Sequence, residues 1–196
     1  MRTGILGGTF DPIHIAHLHA AETALVGAQL DRVLFVPAGD PWQKRDREVT
    51  GADLRVAMVA LAIADAPGFE LDTREVDREG PTYTIDTLNS FPDHEDLYLI
   101  VGADAAGGVG SWHRANAVLE RARFLVLPRP GSDAVSVASN LPGARVLQMA
   151  ALDISSTTIR AMAREGKPFR YLIPGPVYEY IKANRLYVGT QERTPT

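Results

Sequence analysis

The chain has 196 residues, 45% of them hydrophobic, which at about 150 residues per domain predicts one folded domain rather than a disordered chain. It has no cysteine, which excludes a disulfide scaffold, thiol catalysis and cysteine-ligated zinc or iron–sulfur sites, and suits a reducing, cytoplasmic setting. Twenty basic against 24 acidic residues leave a net charge of −4, which argues against a nucleic-acid partner but not against a local site for a small anion.

Taken in chain order, residues 4–6 read as a short buried strand and 15–27 as a helix rich in alanine and leucine, closed by Gly27. Residues 31–36 form a second strand, stopped by Pro37, and 37–50 a loop with two prolines. A helix follows over 52–65, then a strand over 69–72. Thr82 is placed to cap a helix over 83–90. Residues 97–101 are a strand, 114–122 a helix, 124–127 a strand and 145–147 the last strand. Ser155 or Ser156 caps a helix to about Glu165, and Pro174 opens a final one to Lys182. No apolar run approaches the roughly 18 residues of a membrane span, so no membrane partner is expected. The opening stretch reaches Gly7-Gly8 too soon for a signal peptide.

Alternating apolar strands and helices predict a Rossmann-like α/β fold, a doubly wound parallel sheet covered on both faces. We expect one domain over 1–189 and a frayed tail over 190–196. Ligands in such folds bind beyond the carboxyl ends of the strands, where the strand order switches.

The strongest chemical signal is Gly7-Gly8-Thr9-Phe10-Asp11-Pro12-Ile13-His14-Ile15-Ala16-His17, between the first strand and the first helix. Glycines let backbone amides approach an anion, and the helix start adds free N–H groups. His14 and His17, three apart, share one helix face. The result is a cradle for a polyphosphate with two donating imidazoles. Neither the Gly-Lys-Ser/Thr of a Walker loop nor the dinucleotide-binding glycine spacing is present. Read alone, the glycines are a tight turn and the histidines surface residues. Their combination at this junction favours the cradle.

These residues resemble the nucleotidyltransferases with a Gly-x-Phe-Asp-x-x-His-x-Gly-His signature, and within them the bacterial nicotinate-nucleotide adenylyltransferases. One position departs, Ala16 standing where the family has glycine, and its methyl is expected to crowd a nucleotide against the helix. The family's second hallmark stands as Ile154-Ser155-Ser156-Thr157-Thr158-Ile159-Arg160, a serine-capped helix start with Arg160 one turn in. Alone it is an ordinary cap with a solvated arginine. The pattern Tyr171-Leu172-Ile173-Pro174 to Leu186-Tyr187 also fits, so the resemblance spans residues 4 to about 188.

The resemblance implies adenylyl transfer from ATP to nicotinate mononucleotide, giving deamido-NAD and pyrophosphate. It assigns Gly7, Gly8, Thr9, Phe10, His14, His17, Gly102, Asp104, Ile154, Ser155, Ser156, Thr157 and Arg160 to ATP, with His14, His17 and Arg160 as catalytic donors. Trp42 and Lys44 in the proline-containing loop, Thr82, Tyr83, Asp104 and Trp112 fall to the acceptor. Without the resemblance Lys44 reads as a solvated loop lysine, and Trp112 either stacks on the pyridinium ring or is a half-buried core residue. Gly107-Gly108-Val109-Gly110 makes a poor helix and is expected to be mobile. No acidic cluster suggests a metal cage, so Mg²⁺ is expected on the ATP phosphates. Nicotinamide mononucleotide or phosphopantetheine remain alternative acceptors, and a nucleotide-binding module without turnover an alternative class. A homo-oligomer is compatible with the sequence.

Overall fold

The computed structural model describes residues 1–39, 49–128 and 131–188; Trp42, Lys44 and the predicted tail over 190–196 lie outside them. Six strands form one sheet: β1 (Arg2–Gly8), β2 (Arg32–Pro37), β3 (Phe69–Leu71), β4 (Asp96–Gly102), β5 (Ala122–Leu127) and β6 (Arg145–Val146). All pairings are parallel, in the order β3-β2-β1-β4-β5-β6. The order reverses between β1 and β4, which makes the ends of these two strands the switch point. Among the described residues no helix is long and apolar enough to cross a membrane.

Side chains alternate along each strand and so feed two cores. Leu6, Val33, Phe35, Ile100 and Leu125 face one side, under α1 (Ile15–Gly27), α2 (Ala52–Ile63), α7 (Ser156–Arg164) and α8 (Gly175–Ala183). Ile5, Leu34, Val36, Leu99, Phe124 and Val126 face the other, under α3 (Thr84–Asn89), α4 (Ala103–Gly107), α5 (Ala115–Arg121) and α6 (Ala134–Ser139).

Several predicted boundaries shift for local reasons. β1 runs through Gly7 and Gly8, because pairing with β2 continues to Gly8 opposite Pro37. Tyr83, not Thr82, precedes the first turn of α3, and no side chain caps it. Ser155 rather than Ser156 caps α7, its Oγ accepting from the Thr158 amide at 3.1 Å. Arg114 is left-handed (φ 52°), which delays α5 to Ala115, and Ala122 already belongs to β5. α4 and α6 were not expected. α4 ends at Gly107 and a 3-10 turn takes over at Val109–Ser111, so the glycines do break the α-helix. α6 is six residues of valine, serine and alanine held by Asp133, whose carboxylate accepts from the Ser136 amide at 3.0 Å.

One residue on the apolar stripe of α2 is charged. Arg55 shares that stripe with Met58, Val59, Ala62 and Ile63 and is 1% exposed. Its Nε donates to Thr50 O at 2.9 Å, one terminal nitrogen to Thr9 O at 2.8 Å, and the other to Ala38 O at 2.8 Å and Gly39 O at 3.3 Å. Burial pushes its pKa down, and the charge of Asp11 opposes that shift. The guanidinium thereby ties together the chain leaving β1, the chain leaving β2 and the approach to α2. Arg55→Met, of similar length, strands these carbonyls. We expect a loss of about 2–4 kcal/mol of stability in urea unfolding; an unchanged midpoint would show that the carbonyls do not need the guanidinium.

Candidate active site

The carboxyl ends of β1 and β4 open on a cleft of about 730 Å³. One wall is Gly7, Gly8, Thr9, Phe10, Asp11, His14 and His17, and across it stand Ile154, Ser155, Ser156, Thr157 and Arg160. The far end carries Glu75, Thr82, Tyr83, Asp104, Trp112 and His113. Gly102 is not among the lining residues; Val101 and Asp104, on either side of it, are. Ala16 does not line the cleft either.

His14 precedes α1 in extended conformation (φ −145°) rather than sitting on the helix, and His17 occupies its first turn. The rings stack at 3.7 Å between centroids and 22°. The His14 amide donates to His17 Nδ1 at 3.3 Å. This assigns Nε2–H to a neutral His17, so its outer nitrogen is a donor. Phe10, left-handed at φ 50° and 2% exposed, sets its edge against His17 at 5.1 Å. A Cβ on Gly8 would meet the Phe10 ring at 3.1 Å, so the second glycine makes room for that ring.

The two halves of the wall touch directly. Arg160 donates to Asp11 O at 2.7 Å, and the Ser156 hydroxyl to Pro12 O at 2.9 Å, across 149 and 144 residues of sequence. Part of the predicted ligand-binding capacity is therefore spent on the loop itself. Ser155 caps α7, which leaves the first-turn amides of Ser156 and Thr157 without helical partners. Asp11 was not singled out from its motif. It is 4% exposed, and its carboxylate accepts from the Tyr187 hydroxyl at 2.6 Å and the Thr50 amide at 3.3 Å.

At the far end the Tyr83 ring packs on His113 at 4.3 Å, tilted by 31°, and Trp112 packs toward Phe124 at 6.2 Å while still lining the cleft. Trp112 is thus a part-buried side chain that also faces the cleft. Glu75 lines the cleft and accepts from the Thr87 hydroxyl at 2.7 Å. Burial holds its carboxyl above the usual range, against the Thr87 hydrogen bond and the charge of Arg78. A Cβ on Gly39 would lie 2.1 Å from Glu75 O, so only glycine lets the end of β2 pass this segment. Sequence reasoning missed Glu75, His113 and Arg55. The last had a signal, a charge on an otherwise apolar helix stripe.

The cytidylyltransferase-like family model matches residues 5–162. A protein of Corynebacterium kroppenstedtii is 43% identical over 192 residues, covering 95% of this chain and 91% of its own. Another, of Acidothermus cellulolyticus, is 42% identical over 199 residues, covering 96% and 95%. Both bear the name "Probable nicotinate-nucleotide adenylyltransferase". The chain belongs to the nicotinate-nucleotide adenylyltransferase family. It also shares the fold of a nicotinic acid mononucleotide adenylyltransferase of Plasmodium falciparum, solved with APC, at TM-score 0.80 and 21% identity over 95% of this chain and 96% of that one.

Two variants probe the first wall. His17→Ala is expected to lower turnover by about 10²–10³, the usual cost of losing one transition-state donor, while the protein stays folded by circular dichroism. A wild-type rate at saturating MgATP would remove His17 from the donors. Ala16→Gly, at a position outside the cleft, is expected to leave the KM for MgATP unchanged and to cost about 0.5–1 kcal/mol of stability. A lower KM would show that the methyl does meet the nucleotide, as the sequence reading expects.

Proposed function

We propose that this chain transfers the adenylyl group of MgATP to nicotinate mononucleotide, giving deamido-NAD and pyrophosphate in NAD biosynthesis. The observation that carries the reading is the joining of the two motifs across one cleft, in a member of this family. A phosphate oxygen of the mononucleotide attacks the α-phosphorus. A new P–O bond forms, the bond to the β-phosphate oxygen breaks, and pyrophosphate leaves with the electron pair. The second pKa of a phosphate monoester is about 6, so the nucleophile is already an anion at neutral pH and needs no general base.

Catalysis is then positioning and electrostatics. His17 donates through Nε2–H to a phosphate oxygen, beside His14 and Arg160. The amides at the start of α7 receive the other end of the polyphosphate, with Ile154 and Thr157 at their side. Gly7, Gly8, Thr9 and Phe10 floor the cradle. Among the described residues no group of three His, Asp or Glu side chains is placed to hold a metal ion. A His17 that donates through Nε2 cannot ligate one there. The donor set fits phosphates already carrying Mg²⁺, which supplies charge neutralisation as ATP brings it in.

On the acceptor side Trp112 offers a face to the cationic pyridinium ring. Because α3 begins at Thr84, the first-turn amides without helical partners are those of Thr84 and Ile85. Thr82 contributes a buried hydroxyl with no hydrogen-bond partner among the described residues. Donors of this kind suit a carboxylate and oppose the NH₂ of a carboxamide. We therefore expect the nicotinate nucleotide to exceed the nicotinamide nucleotide in kcat/KM by about 10² or more. The check is pyrophosphate release with each acceptor in turn; equal values would overturn this account of acceptor choice, and no release with either would overturn the transfer itself.

A further inference from the structure

We propose that Tyr187, near the end of the described chain, is a positioning residue for the ATP side of the cleft and acts through Asp11. The inference rests on the reading that the Thr9–His17 segment receives phosphate. Tyr187 does not line the cleft, whereas Asp11 does. The link between them is a 2.6 Å hydrogen bond from the phenol to Asp11 Oδ1 across 176 residues of sequence.

The chain after α8 is bent to make this link. Leu186 N returns to Ile181 O at 3.0 Å, and both Arg185 (φ 49°) and Tyr187 (φ 62°) are left-handed. Two side-chain-bearing residues in that conformation persist only where their surroundings hold them. The bend turns the Tyr187 ring inward, where its oxygen also lies 3.9 Å from Met58 Sδ. Burial and the Asp11 carboxylate hold the phenol far above its usual pKa, so it stays a donor at every working pH.

Asp11 passes the constraint on. Its side chain is held by Tyr187 and by the Thr50 amide, and its carbonyl by Arg160. On one side it is bonded to Phe10, whose ring edges His17; on the other, Pro12 O receives Ser156. Freed from Tyr187, the Asp11 side chain keeps one hydrogen bond among the described residues, the longer one from the Thr50 amide, and the peptides that aim Arg160 and the cradle can rotate. Among the described residues the acceptor end, built on α3, α4 and the turn after it, has no such link to Tyr187.

The test is Tyr187→Phe, which keeps the ring and removes the hydroxyl, in steady-state assays well below its melting temperature. The KM for MgATP is expected to rise about tenfold while the KM for nicotinate mononucleotide stays unchanged. A role in folding alone lowers the amount of active protein and moves neither KM. Asp11→Ala cuts the same link from the loop side and should raise the KM for MgATP likewise. In the double variant the rise should not exceed that of the larger single one. Unchanged KM for MgATP in Tyr187→Phe, or multiplicative effects in the double variant, would overturn the proposal. Failure of the wild-type chain to bind MgATP in calorimetry would instead overturn the reading of the cleft on which it rests.

Discussion

The cleft depends on a guanidinium placed where a helix should be apolar. Taking Arg55 out of water is costly, and among the described residues no carboxylate is hydrogen-bonded to it to offset the cost, although the charge of Asp11 acts in its favour. What offsets it is a set of backbone carbonyls, at Thr9, Ala38, Gly39 and Thr50, that neither sheet nor helix satisfies. Strands that end at a switch point leave such groups behind, because the chain must depart from the ladder to clear a ligand. The planar fork of arginine reaches several carbonyls at once, which a lysine ammonium on its single stem does less well. The ends of β1 and β2 therefore hold their separation without a bound ligand.

A second layer of contacts lies on top of this anchor. Arg160 and Ser156 bond to Asp11 and Pro12, so the late motif shapes the early one before either meets a phosphate. His17 receives the His14 amide, which leaves its outer nitrogen donating. A transfer between two polyanions gains most from donors already aimed, since none has to reorganise as charge develops. At the far end of the cleft Glu75, Thr87, Tyr83 and His113 form a separate polar and aromatic wall on other elements.

The strand–helix alternation was legible because buried parallel strands are short apolar runs and their helices carry a different period. Boundaries moved where a local rule met a tertiary one. Gly7 and Gly8 disfavour a strand by propensity, yet β2 supplies the ladder to Gly8. α4 and α6 are too short to show a helical period, and both are held by packing on the sheet. Within the cleft, thirteen of the residues assigned to the ATP and catalytic roles were named from two linear motifs and one strand end; of these only Gly102 fails to reach the lining.

From the sequence alone came the α/β class, the position of the cleft and the two motifs that line it, since each motif is a continuous stretch of adjacent residues. Only the tertiary structure decided what holds those motifs in place. Arg55 reaches Thr9 across 46 residues, Arg160 reaches Asp11 across 149, and Tyr187 reaches Asp11 across 176. Such contacts leave no periodic trace, because a buried donor takes whatever acceptor the fold brings within about 3 Å, however far away it lies along the chain.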